Sequence, residues 1–129
     1  MTQRPPLSKA ELEVARIVWE LKEASVRMVF ETFPAKRQAD FSTVQTYLRR
    51  LEEKGYLKVR LDGRTKIFSP KVKPRTVIRE TVSDLVDRLF AGDSMPLVKH
   101  LVEDKDLKPA QIQQLRELVD ELEEQSNDE

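Results

Sequence analysis

Apolar residues recur along this chain with two periods, and the switch between them marks out its elements. Ser8 and Glu11 carry the pattern of a capping box, with Leu7 and Leu12 at the positions of a hydrophobic staple. Leu12, Ala15, Val18, Trp19 and Leu21 then trace one broad helical face to about Lys22, with Trp19 expected as the main core aromatic. A shorter helix follows, with Ser25 as N-cap and Val26, Val29, Phe30 and Phe33 at helical spacing. Pro34 ends it, because helical geometry is disfavoured at the residue before a proline. A polar link carrying Lys36 and Arg37 leads to a third helix, from an N-cap at Ser42 to Lys54, with Gly55 as a left-handed stop. At about 100° per residue, Val44, Tyr47, Leu48 and Leu51 fall on one side of it. Ser42, Thr46 and Arg49 lie opposite, and Gln45 and Arg50 sit on the flanks.

Beyond Gly55 the period drops to two. Leu57, Val59 and Leu61 alternate with polar residues as in a half-buried strand. Asp62-Gly63 signals a two-residue hairpin loop of type I′, and Arg64 to Ser69 returns with Ile67 and Phe68 as its apolar content. Past Pro70 to Pro74 the helical period comes back. One helix from Arg75 to Phe90 carries Ile78, Val82, Leu85 and Leu89, and Ala91-Gly92 breaks it. A shorter helix carries Leu97 and Leu101; a last one, from Pro109, carries Ile112, Leu115, Val119 and Leu122, and the end QSNDE is expected to fray. None of these three helices can bury its stripe alone, and 55 residues make a thin core. Pairing with an identical copy through those ten residues is the expected remedy, and packing onto the first part of the chain is the alternative. The fold class that follows is mostly α with a small β-hairpin. A winged helix-turn-helix is expected over residues 1–74 and a three-helix dimerisation domain over 75–129.

Charge sharpens this picture. The formal net charge of zero conceals 16 Lys/Arg against 9 Asp/Glu up to Pro74, and 7 against 14 from Arg75 onward. A basic half joined to an acidic one points to a polyanionic partner for the first half. Seven arginines or lysines lie between Arg49 and Lys66 and are expected along the solvent side of the third helix and hairpin. With that helix in the major groove of double-stranded DNA, Thr43, Gln45, Thr46, Arg49 and Arg50 are the candidates for base contacts. Gln45 has a rival role in a capping box with Ser42, and Arg50 a rival role in an ion pair with Glu52 or Glu53. Lys58, Arg60, Arg64 and Lys66 are the phosphate candidates of the wing, and Ser25, Arg27 and Ser42 are possible backbone contacts at helix starts.

Other chemistries find little footing. The absence of cysteine excludes disulfides, thiolate metal sites and cysteine nucleophiles. His100 is the lone histidine, and Glu103, Asp104 and Asp106 read as a solvated loop, so no metal and no cofactor is expected. No nucleophile-base pair or glycine-rich phosphate loop supports an enzyme. The N-terminus lacks a signal-peptide core and no apolar run approaches the roughly 18 residues of a membrane span, so a cytoplasmic protein is expected. The alternative class, a winged helix used for protein-protein contact, fits poorly with a cationic wing.

The segments LSKAELEVARIVWEL, ASVRMVFETF, STVQTYLRRLEEKGYL, DGRTKIFSP and VSDLVDRLFAGDSMPLVKHLVEDKDLKPAQIQQLRELVDEL, in that order, are similar to the penicillinase-repressor (BlaI/MecI/CopY) family of winged helix-turn-helix transcriptional regulators. The resemblance implies a homodimeric repressor on a palindromic operator, with the C-terminal helices intertwined, governing antibiotic-resistance or metal-homeostasis genes. It also implies release by a regulatory protease or sensor, or by metal exchange. Two departures bear on that release. The cysteine-rich metal motif of the copper-responsive branch is absent, and His100-Leu101 stands where the proteolysed branch has an Asn-Phe bond. Gln45 also replaces a lysine common in the family.

Overall fold

The computed structural model describes residues 4–34, 39–104 and 106–127. The elements run α1 (Lys9–Leu21), α2 (Val26–Thr32), α3 (Phe41–Glu53), β1 (Leu57–Asp62), β2 (Thr65–Pro70), α4 (Pro74–Phe90), α5 (Met95–Asp104) and α6 (Pro109–Asn127). By its internal contacts the chain falls into two compact units, Met1–Glu80 and Thr81–Glu129.

The first unit is built as its capping residues dictate. At the start of α1 the Glu11 N–H donates to Ser8 Oγ at 3.1 Å, and the Ser8 N–H donates to Glu11 Oε1 at 2.8 Å, closing the capping box. The Met28 N–H donates to Ser25 Oγ at 3.2 Å at the start of α2, whose C-cap is Phe33. Val14, Ala15, Ile17 and Val18 of α1, Val29 of α2, and Val44, Leu48 and Leu51 of α3 meet in one core with Tyr56, Leu57 and Phe68. Trp19 only packs against its edge, so the buried aromatics are Tyr56 and Phe68 and not the tryptophan. The reason is position: Trp19 lies in the last turn of α1, where the helix leaves the core, beside Lys22 and the residues that follow β2.

β1 and β2 pair antiparallel with Asp62 opposite Thr65, so the loop is Gly63-Arg64, one residue later than Asp62-Gly63. Gly63 has φ 66° at the first loop position and Arg64 is outside the positive-φ region, which is the pattern of a type II′ turn and not type I′. Ala24, between α1 and α2, adds a third edge: its N–H donates to Phe68 O at 2.9 Å and the Phe68 N–H returns to Ala24 O at 2.8 Å. Along β1 burial fades from Leu57 through Val59 to Leu61, which is 67% exposed. The hairpin is therefore rooted in the core and free at its tip.

A strap of N-terminal residues closes the opposite side. Lys54 Nζ donates to Glu11 Oε1 at 2.6 Å and to Pro6 O at 3.0 Å, and Tyr56 Oη donates to Pro5 O at 2.8 Å. The Arg4 guanidinium lies over the Tyr56 ring at 5.4 Å and pairs with Glu80 of α4 at 2.6 Å. Burial alone would push the Glu11 carboxyl up. The Lys54 ammonium and the Ser8 hydrogen bonds outweigh it and hold the group below its ordinary value. Lys54 is thus half-buried against Glu11, against the expectation that placed it on the solvent side with the other cations. Val77, in the second turn of α4, is 2% exposed and completes this core.

The second unit is helical throughout. Ala91 at φ 52° and Gly92 at φ 85° end α4 where the sequence breaks. α6 continues to Asn127, so Gln125, Ser126 and Asn127 of the end expected to fray are helical, and residues 128–129 lie outside the described residues. α5 and α6 contain no buried residue, and Val86 of α4 is buried. Ile78, Val82, Leu85, Leu89, Leu101, Ile112, Val119 and Leu122 are all exposed, and Leu97 and Leu115 are intermediate. No helix among the described residues is long and apolar enough to cross a membrane.

Candidate nucleic-acid interface

α3 presents two unlike faces. Val44, Leu48 and Leu51 are fully buried, which leaves Ser42, Gln45, Arg49 and Arg50 exposed and Thr43 and Thr46 half-exposed. The helix starts earlier than expected. Asp40 takes the extended N-cap geometry at φ −70°, ψ 156°, so Ser42 lies inside the first turn and cannot be the N-cap. With Ser42 in the helix, a capping box between it and Gln45 cannot form. The Ser42 carbonyl instead accepts a hydrogen bond from Thr46 Oγ1 at 3.0 Å, which occupies the threonine hydroxyl within its own helix.

The ion pair expected at Arg50 falls on its neighbour. Arg49 Nε lies 3.8 Å from Glu53 Oε1, with both side chains 65% exposed. A solvated pair of that length is worth only a few tenths of a kcal/mol, about 0.3–0.5. It constrains Arg49 weakly and leaves its fork available to an anion or a base edge.

The wing cations divide between two faces. Residues opposite one another in an antiparallel pair share a face, and Arg60 opposes Ile67 while Lys66 opposes Leu61. Lys58 and Arg60 therefore share one face, Lys66 lies on the other, and Arg64 occupies the turn. That differs from a single cationic side. Leu61 is exposed, so both faces are open to solvent at the tip. Arg60 Nη2 is 3.2 Å from both carboxylate oxygens of Glu23. Of the four wing candidates Lys58, Arg60, Arg64 and Lys66, Arg60 alone has an ion-pair partner among the described residues. Lys36 and Arg37 lie outside the described residues.

A contact between α2 and α3 escaped the sequence reading. The Arg27 guanidinium sits over the Phe41 ring at 5.6 Å, and Phe30 meets that ring edge-on with centroids 5.7 Å apart at 69°. The available signal was an aromatic residue at the end of a polar link, at the point where a helix was due to start. In the second unit, His100 Nδ1 lies 2.7 Å from Asp104 Oδ2 on the exposed surface of α5. Among the described residues no group of three or more His, Cys, Asp or Glu is arranged to hold a metal ion.

Comparison with known proteins agrees with this architecture. The sequence profile described as "Penicillinase repressor" matches residues 7–121. The methicillin resistance regulatory protein MecI of Mammaliicoccus sciuri is 27% identical over 113 residues, covering 88% of this chain and 92% of that protein. The penicillinase repressor of Bacillus licheniformis is 26% identical over 121 residues, covering 94% of each. The solved DNA-binding domain of the repressor BlaI matches with a TM-score of 0.51 at 30% identity, over 57% of this chain and 90% of that domain. With its profile matched over nearly the whole length, and the winged helix in the position of a relative's DNA-binding domain, the chain belongs to the penicillinase-repressor family.

Proposed function

We propose that the chain is a DNA-binding transcriptional repressor that occupies a palindromic operator as a homodimer in the cytoplasm, and is not an enzyme. The observation that carries this reading is the outward face of α3. It is polar from Ser42 to Thr46 and bears Arg49 and Arg50 one turn further on, backed by a fully buried apolar face, and flanked by a hairpin whose tip bears Arg64 and Lys66. A helix held so rigidly from behind suits the major groove, with the wing on neighbouring backbone. Thr43, Gln45, Thr46, Arg49 and Arg50 take the base edges, and Ser42, Arg60, Arg64 and Lys66 take phosphates. Names borne by relatives, a penicillinase repressor and a methicillin resistance regulator, support the same reading.

Dimerisation rests on the second unit. Its helices carry a row of exposed apolar residues from Val82 to Leu122, continuing from Ile78 near the end of the first unit, and a row of this kind marks an interaction surface. A second copy contributing the same row covers both. The signal that ends repression acts through a regulatory protease or sensor. His100-Leu101 at the exposed face of α5 argues against the Asn-Phe cleavage rule of the proteolysed branch.

Selection of bound sites from random duplex DNA tests the reading directly, with inverted half-sites about one helical turn, or a multiple of it, apart as the expected product. Arg49→Ala is expected to relax preference at one base position at a cost of about 1–3 kcal/mol. Arg64→Ala is expected to weaken every duplex alike. A chain that enriches no motif, and whose two variants bind as the parent does, would end the proposal.

A further inference from the structure

We propose that Arg27 and Phe41 together form a phosphate-binding site at the junction of α2 and α3, in which the aromatic ring holds the guanidinium ready for one DNA backbone phosphate. The proposal rests on the DNA-binding reading and adds a site to it. Arg27 is the second residue of α2 and Phe41 the first of α3, so the site exists only because the fold brings the two helices together. The Phe41 ring is held on one side by the edge of Phe30 and covered by the Arg27 guanidinium at 5.6 Å.

Three features favour a ligand over a purely structural stack. First, the Arg27 side chain is 72% exposed, so the guanidinium keeps donors directed to water while its plane rests near the ring. Second, its acidic neighbour Glu31 lies at 3.9 Å and is 65% exposed, an ion pair at the limit of contact that a phosphate displaces cheaply. Third, Phe41 is 39% exposed at the first position of α3, four residues before Gln45 and on the same side of the helix. The stack therefore lies at the end of the face assigned to base contacts.

The ligand class follows from the donor. A guanidinium offers a planar fork that matches a phosphate in a bidentate way, and a stacked one loses less side-chain freedom on binding. Asp40, adjacent to Phe41, makes no side-chain cap bond and adds negative charge nearby. That charge makes the site weak alone, which suits one contact among several. Phe41 is a positioning residue here, and Arg27 is the group that touches the phosphate.

The test uses the full chain and duplexes carrying and lacking its selected site, with affinity measured over roughly 50–200 mM salt. Arg27→Ala is expected to weaken both duplexes about fivefold and to lower the salt slope by about 0.9, the signature of one lost phosphate contact. Phe41→Ala should reproduce most of that loss on both duplexes, and Phe41→Tyr should restore it. The double variant should bind no worse than Arg27→Ala, because the ring acts through the arginine. Thermal unfolding of each variant separates lost binding from lost fold, and Arg27, being on the surface, carries the decision if Phe41→Ala unfolds. An unchanged slope in Arg27→Ala overturns the site, as do additive losses in the double variant. So does a Phe41→Ala defect that vanishes when uracil replaces thymine, since the ring would then be reading a methyl group. Failure of the parent chain to bind any duplex would instead sink the DNA-binding reading, and this site with it.

Discussion

Glu11 does two jobs at once, and only one of them is visible from its neighbours in the chain. Its capping bonds with Ser8 follow from a spacing of three residues, whereas its partner Lys54 is 43 residues away and was counted with the solvent cations. The carboxylate is 2% exposed, so removing Lys54 leaves a buried charge held only by Ser8. Lys54→Met is expected to cost about 3 kcal/mol in urea unfolding at neutral pH. Because the folded carboxyl is held below its ordinary value of 4.5, its contribution is complete above that pH. It is then lost as pH falls through the lowered value. The parent should lose stability over that acid range, and Lys54→Met, with the lowering partner gone, should show a flatter profile there. Glu23 supplies a second residue-scale prediction. It is 3.2 Å from Arg60 and partly neutralises a wing cation. Glu23→Gln is expected to tighten binding to any duplex roughly twofold at low salt, and a weaker complex would count against Arg60 as a phosphate contact.

Elements held their places where local chemistry decided them. The capped start of α1, the Ser25 cap of α2, and the break at Ala91-Gly92 all follow from residues within one turn of each other. Boundaries moved where two local signals competed. Both Asp40 and Ser42 can cap α3, and the packing of Phe41 against Phe30 accompanies the earlier start. The hairpin loop shifted by one residue because the register sets Phe68 opposite Val59, with Ala24 bonded to the other edge of Phe68. Two backbone positions test the same physics with opposite sign. Lys22 sits at φ 72° without being glycine, so Lys22→Gly is expected to stabilise the fold by about 1 kcal/mol. Gly63 at φ 66° has no atom within 4 Å of an added Cβ, so Gly63→Ala should cost about 1 kcal/mol from backbone strain alone. Thermal unfolding of both variants measures the pair.

On the scale of the whole molecule, the first unit includes the beginning of α4. Val77 is buried in its core and Glu80 pairs with Arg4. A fragment of residues 1–82 is therefore expected to fold, and one ending at Pro74 to be less stable by about 2 kcal/mol through the lost burial of Val77. Neither fragment retains the exposed apolar residues from Leu85 to Leu122, so both should sediment as monomers and bind the operator far more weakly than the full chain. Leu85→Glu with Leu122→Glu should reproduce that defect in the full chain, because a charge at a covered interface cannot be desolvated cheaply. A double variant that remains dimeric would contradict the assignment of those helices.

Periodicity, capping residues and the charge contrast between the halves were enough to reach a winged helix followed by amphipathic helices, because each depends on residues close in the chain. The inward and outward faces of α3 were also legible, since a helix repeats its geometry at every turn. Which cations are free was not. Lys54 turned inward to Glu11, Arg60 met Glu23, Lys66 took the opposite face from Arg60, and Arg27 found Phe41. Those outcomes depend on pairs brought together across the fold, and the energy of a charge is decided by its nearest partner and its access to water, neither of which is encoded by local spacing.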